Sequence, residues 1–207
     1  MNTRSSFIIS IITIIVAVLV MIGWFFDVGV LKSVVSGFPT MRFTTAVSFF
    51  FSGFMLYCSV QVIKENSDAA FIGIIISSLV ISILMATLIA GIVFNFNSGV
   101  EQLFLESGDA LMGRPATPTI FNFICITVLG LGTFFGASSR RRLFRILGAV
   151  VAGIGSLAVI GYAVGMPLLY YQISDISVAM AFHTAILFVL LGIGFMLIGN
   201  AVRGESS

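Results

Sequence analysis

Six stretches of this chain are apolar for too long to be built for water. A helix needs about 20 apolar residues to cross the hydrocarbon core of a bilayer. Runs of that kind are expected as helices over Phe7 to Phe26, Phe43 to Ile63, Ala69 to Phe94, Thr119 to Ser138, Leu147 to Met166 and Val178 to Val202. Lipid offers backbone N–H and C=O groups no partner, so such a run closes its hydrogen bonds within itself. The third run is long enough to tilt or to project from the membrane. Hydrophobic residues make up 59% of the chain and charged residues 9%, against roughly a quarter charged in a soluble domain. The first run follows Arg4 as a signal sequence would. It is longer than such a core and lacks a small-residue cleavage site, so it reads as a retained helix.

The cations set the orientation. With the N-terminus inside, the cytoplasmic segments hold Arg4, Lys64, Arg140, Arg141, Arg142, Arg145 and Arg203, and the outer loops hold Lys32, Arg42 and Arg114. That excess favours both termini in the cytoplasm. The group Arg140, Arg141, Arg142 and Arg145 is the strongest anchor, a topology determinant touching anionic lipid heads or, less simply, a docking site for a cytoplasmic partner. The outer loops are acidic (Asp27, Glu101, Glu106, Asp109, Asp175), with Trp24, Tyr162, Tyr170 and Tyr171 as an interfacial belt. Within the longest loop, Asn95 to Pro118, Val100, Leu103, Phe104 and Leu111 could share one side of a short surface helix. Net charge is +2 and no basic tract is long, which argues against nucleic acid.

The even-numbered runs echo one another. Thr45-Ala46-Val47-Ser48-Phe49-Phe50-Phe51-Ser52-Gly53 and Thr184 to Gly192 both read T-A-x-x-F-x-x-x-G, and both continue into a Met–Leu pair, Met55-Leu56 and Met196-Leu197. A degenerate copy starts at Thr119, with Phe123 in register and Thr127 where the glycine would stand. Residues four apart lie along one helix face. The odd runs end alike at Gly23-Trp24, Gly91-Ile92 and Gly161-Tyr162. The expected architecture is therefore an all-α polytopic membrane protein of one domain, 1–207, with six transmembrane helices. They form three parallel tandem hairpin repeats (1–66, 67–143, 144–207), N-in and C-in, with a period of about 70 residues. Gly132/Gly136 and Gly161/Gly165 add G-x-x-x-G spacings that let helices approach.

Such a repeat gathers polar residues at one depth near the outer face. Candidate ligand-binding residues are Trp24, Asp27, Arg42, Thr45, Thr119, Asn122, His183 and Thr184, with Thr44, Thr117, Asn95 and Asn97 at the same level. The plainer reading is that these residues cap helix starts and bond between helices. His183 is the sole histidine, so a haem or metal would lack a second imidazole; a structural role, a ligand contact or a pH sensor are its readings. Cys58 and Cys125 lie in apolar runs at different depths, as small hydrophobes rather than a disulfide or zinc site. No nucleophile–base pair, phosphate loop or metal-ligand spacing is present in the sequence, so neither enzyme nor cofactor is expected. The near absence of mid-membrane charge counts against an ion-coupled transporter.

The segments Met180-Ala181-Phe182-His183-Thr184-Ala185 with Phe188 and Gly192, Met41 through Gly53, and Gly161-Tyr162 before a short outer loop resemble the membrane-embedded input region of bacterial sensor proteins. Those regions precede histidine kinase or diguanylate cyclase domains. The resemblance implies a multi-pass protein of the bacterial inner membrane that senses and signals. Because no kinase, cyclase or coiled-coil linker lies between the sixth run and Ser207, the expectation is an input module of a longer protein or a free-standing relative acting through a partner. The function expected first is thus a non-enzymatic sensory or regulatory module. It would bind a small or lipidic ligand near the outer face and signal to a cytoplasmic protein or domain. A carrier or channel for an uncharged or lipidic solute, and a structural or assembly subunit, are the alternatives; membrane lipids and a second copy of the chain are expected partners.

Overall fold

The computed structural model describes residues 2–33, 38–94, 116–135, 137–171 and 179–201, and every regular element among them is helical. The elements are α1 (Asn2–Phe25), the single turn α2 (Gly29–Lys32), α3 (Phe43–Glu65), α4 (Asp68–Val93), α5 (Thr117–Leu131), α6 (Ala137–Val164) and α7 (Phe182–Ala201). Short 3-10 turns follow α5 at Gly132–Phe134 and α6 at Pro167–Tyr170. Six helices are long and apolar enough to cross a membrane, α5 together with the 3-10 turn that follows it. The expected loop helix over 95–115, with Asn95, Asn97, Glu101, Glu106, Asp109 and Arg114, lies outside the described residues, as do Asp175 and Arg203.

The bundle has two layers. Helices α3, α5 and α7 touch one another, while α1 packs between α3 and α7, α4 between α3 and α5, and α6 between α5 and α7. Burial follows this arrangement: 61% of the spanning window is buried in each of α3, α5 and α7, against 39% in α1, 33% in α4 and 28% in α6. The outer helices carry their isoleucines outward, among them Ile8, Ile15, Ile72, Ile83 and Ile160. In lipid, apolar exposure is no penalty, so inner and outer positions sort by packing rather than by hydrophobicity.

Call the end where the chain starts the near end, and the end where α3, α5 and α7 begin the far end. At the near end α3 stops at Asn66, whose φ of 48° is left-handed and whose N–H closes on Val62 O at 3.0 Å. Ser67 then caps α4 by accepting from the Ala70 N–H at 3.4 Å. Asparagine tolerates that conformation and serine satisfies an orphan donor, so a two-residue joint suffices.

The largest departures from the apolar runs fall between the fourth and the fifth. The fourth run was expected to continue to Ser138, but α5 ends at Leu131 and tightens into a 3-10 turn where Gly130 and Gly132 weaken the helix. The fifth was expected to begin at Leu147, but α6 begins at Ala137. Arg140, Arg141, Arg142 and Arg145 are therefore helical residues in the first turns of α6, not a loop. Arginine is a good helix former and its long stem carries the charge away from apolar surface, so hydrophobicity alone sets the start too late.

Several buried hydroxyls return to their own backbone. Ser48 donates to Thr44 O (2.8 Å), Ser52 to Ser48 O (2.7 Å), Ser59 to Met55 O (2.8 Å), Thr13 to Ile9 O (2.9 Å) and Thr127 to Phe123 O (3.0 Å). That solution keeps a polar group satisfied away from water. Others tie helices together: Ser6 donates to Gly194 O at 2.8 Å, and Thr133 to the Ser59 hydroxyl at 3.1 Å.

Candidate functional site

Two corners at the far end set the geometry of the site. After α1, the Val28 N–H bonds Gly23 O (2.9 Å), the Leu31 N–H bonds Val28 O (3.1 Å) and the Met41 N–H bonds Lys32 O (2.9 Å). After α6, the Met166 N–H bonds Gly161 O (2.9 Å), the Leu169 N–H bonds Met166 O (3.1 Å) and the Met180 N–H bonds Tyr170 O (2.9 Å). Each corner turns through a left-handed residue, Asp27 at φ 53° and Gly165 at φ 67°. Each also needs a glycine: a Cβ on Gly23 would stand 2.6 Å from Leu31 Cβ, and one on Gly161 2.6 Å from Leu169 Cβ. The aromatic residue after each glycine then holds the returning strand of chain. Trp24 Nε1 donates to Met41 O at 2.9 Å, and the Tyr162 hydroxyl donates to Met180 O at 2.6 Å. The Met180 tie lies just ahead of α7, which starts at Phe182 where the sixth run was expected to start at Val178.

Met41 and Met180 are thereby set against a cavity of about 20 Å³ between the starts of α3, α5 and α7. Thr45, Thr119 and Thr184, each the third residue of its helix, line it as well. Arg42, Ala116 and Ala181 border it where the chain enters those helices. One helical turn below the threonines, Phe49, Phe123 and Phe188 meet as a trio. Their centroids lie 4.9 Å apart for Phe49 and Phe123, 4.8 Å for Phe49 and Phe188, and 5.1 Å for Phe123 and Phe188. All three rings are fully buried, so they close the space beneath the cavity.

The sequence-derived candidates divide accordingly. Arg42, Thr45, Thr119 and Thr184 come together at the cavity. Trp24 lies behind it, bonded to Met41 O. Asp27 is exposed at its corner, where the Lys32 ammonium donates to its carboxylate; that bond and the attraction of the charge hold its carboxyl below the usual range. The same ammonium lies 5.1 Å from the centre of the Trp24 ring. Thr117 is exposed and Thr44 is buried, its carbonyl receiving Ser48. Neither Asn122 nor His183 lines the cavity, although both are buried and, among the described residues, neither has a hydrogen-bond partner for any side-chain nitrogen or oxygen. Met41, Met180 and Ala116 were not among the expected site residues. The signal for the methionines was present, as each precedes its cavity threonine by four residues.

At the near end, Arg141, Arg142 and Arg145 border an open groove with Ile146 on α6, and Arg140 Nη1 donates to Thr133 O at 3.2 Å. Among the described residues, no three histidine, cysteine or acidic side chains gather in a way that would hold a metal ion, and both cysteines are free.

Asn122 gives a sharp prediction. A buried amide without partners costs about 1–3 kcal/mol. Replacing it with valine, an apolar residue closer to it in volume than leucine, is expected to raise the stability of the purified protein by about 1–2 kcal/mol in thermal or denaturant unfolding. A fall instead would mean that the amide has a hydrogen-bond partner in the folded protein.

No protein-family model matches this chain, and no curated protein or solved structure is significantly similar to it.

Proposed function

We propose that this chain is a non-enzymatic sensory or regulatory module of a bacterial inner membrane. In this reading it consists of three parallel tandem hairpin repeats with both termini cytoplasmic and the far end outside. It binds a small or lipidic ligand at the far-end cavity and signals to a cytoplasmic partner. The observation that carries the reading is the alignment of Thr45, Thr119 and Thr184 around one cavity, with Phe49, Phe123 and Phe188 packed together directly beneath. One residue pair from each inner helix meets its counterparts, as equivalent positions of a repeat would. The matching corners at Gly23–Met41 and Gly161–Met180 support the same repeat. The arginines at the near end of α6 support a cytoplasmic near end.

A ligand in this cavity touches α3, α5 and α7 at once. If it favours one mutual packing of those helices over another, the difference passes along α7 to the near end. Each tenfold preference shifts the balance by about 1.4 kcal/mol, and a ligand indifferent to the two packings shifts nothing. A solute carrier would have to part the phenylalanine trio, so the rings favour sensing over transport.

Screening small molecules and envelope lipids against the purified protein tests the ligand. A stabilising compound whose effect is lost in Arg42→Ala and Thr184→Ala supports the reading; the absence of any such compound removes it. Orientation has its own test. A cysteine at Val30, which is exposed at the far end, is expected to react with a membrane-impermeant maleimide on intact cells. One at Arg142 is expected to react only after permeabilisation, and the reverse pattern would reject the topology.

A further inference from the structure

We propose that the far-end cavity is an oxyanion site, receiving one oxygen of a carboxylate or phosphate; the inference rests on the ligand-binding role assigned above and names the ligand's class. Three helices begin at this cavity, and Thr45, Thr119 and Thr184 occupy the third position of each. The positive ends of the α3, α5 and α7 dipoles therefore converge on one spot, where an anion is favoured. Neither Arg42 nor Ala116, the residues before α3 and α5, caps its helix with a side-chain hydrogen bond.

The threonines supply the second observation. They are 3%, 2% and 2% exposed, yet no hydrogen bond within the described residues engages their hydroxyls. Elsewhere in α3 and α5, Ser48, Ser52, Ser59 and Thr127 give theirs back to a carbonyl one turn earlier. Three buried donors thus remain to be used where three dipoles meet, and Arg42 also lines the cavity. A volume of about 20 Å³ admits one water-sized group. One oxygen enters between the hydroxyls while the rest of the head group stays outside, on the side of the half-buried Arg42. A free carboxylate or phosphate and an anionic lipid head share this chemistry.

The full chain in phosphatidylcholine nanodiscs is the test system. Trp24, the sole tryptophan, reports through its bond to Met41 O. Acetate and inorganic phosphate form the soluble arm; phosphatidylglycerol and palmitate form the lipid arm. A response in either arm, with a raised melting temperature, supports the site and identifies the source. Thr119→Val and Thr184→Val are each expected to weaken binding about tenfold, and Thr→Ser at the same positions to restore it. Arg142→Gln, at the opposite end, leaves the response unchanged. If Arg142→Gln abolishes it, the anion sits on the near-end arginines and the proposal fails. Neutral compounds that stabilise as well as anions, and are lost with Thr184→Val, would overturn the oxyanion class while leaving a ligand site. No response to any compound overturns both. Circular dichroism of each variant separates lost binding from lost fold.

Discussion

Valine at Gly192 is expected to unseat α7 from α6 and to leave little folded protein. These helices form the most intimate pair in the bundle. A Cβ on Gly192 would lie 2.5 Å from Gly148 O and 2.6 Å from Ala152 N. Seen from the other helix, a Cβ on Gly148 would lie 2.8 Å from Gly192 O, and one on Gly155 would lie 2.6 Å from Ala185 O. The obstructing atoms are backbone, so no rotamer change relieves the clash; the helices have to separate. Overpacking a core costs about 1–3 kcal/mol and more when backbone must move. A loss of at least about 3 kcal/mol is expected here, because close approach supplies the attraction between helices in lipid. The control lies on α6 itself. A Cβ on Gly153 meets nothing within 4 Å, so Gly153→Val is expected to leave the melting temperature nearly unchanged. Equal losses in the two variants would show that valine harms these helices through something other than the seam.

That contrast between Gly153 and Gly192 shows where sequence reading ends. Length and hydrophobicity reveal six spans because lipid imposes them one helix at a time. The threonine and phenylalanine spacings were also legible, since residues four apart share a helix face. The partner of each face was not. Gly153 and Gly192 are both glycines in apolar helices, and only tertiary contact distinguishes open space from a seam. The corners were half visible. Gly23-Trp24 and Gly161-Tyr162 announce a likeness, but the tie from ring to Met41 O and Met180 O spans 17 and 18 residues. No local pattern encodes a bond of that reach. The Met–Leu echo misled: Met55 follows Thr45 by ten residues, whereas Met196 follows Thr184 by twelve, so the pairs are out of step. In the bundle Met55 is fully buried against Gly130, while Met196 lies beside Gly148. Asn122 and His183 looked like site residues because polar groups in lipid usually have a task. That both lie away from the cavity could not be inferred from residue type.

Truncating any one ring of the phenylalanine trio to alanine is expected to loosen all three inner helices. For a water-soluble core the cost combines the transfer of the ring from water with the cavity left behind. In lipid the first part largely vanishes, since the exposed alternative is already apolar. The second remains: removing about 100 Å³ of ring, at about 24 cal/mol per Å³, costs about 2–3 kcal/mol of lost packing. Phe49→Ala, Phe123→Ala and Phe188→Ala are expected to lose similar amounts, because each ring touches the other two. The pairs should also be coupled: Phe49→Ala with Phe188→Ala costs less than the sum of the single changes, by about 0.5–1.5 kcal/mol, the usual value of an aromatic contact. Phe121, on the same helix as Phe123 but 49% exposed, is the reference. Its replacement exchanges one lipid contact for another and is expected to cost well under about 1 kcal/mol. Reversible unfolding in mixed micelles measures all of these. If Phe121→Ala costs as much as Phe123→Ala, or if one member of the trio can be removed without loss, the three rings do not hold the centre of the bundle together. The cavity above them would then lack the rigid base on which a difference in ligand affinity between two packings depends.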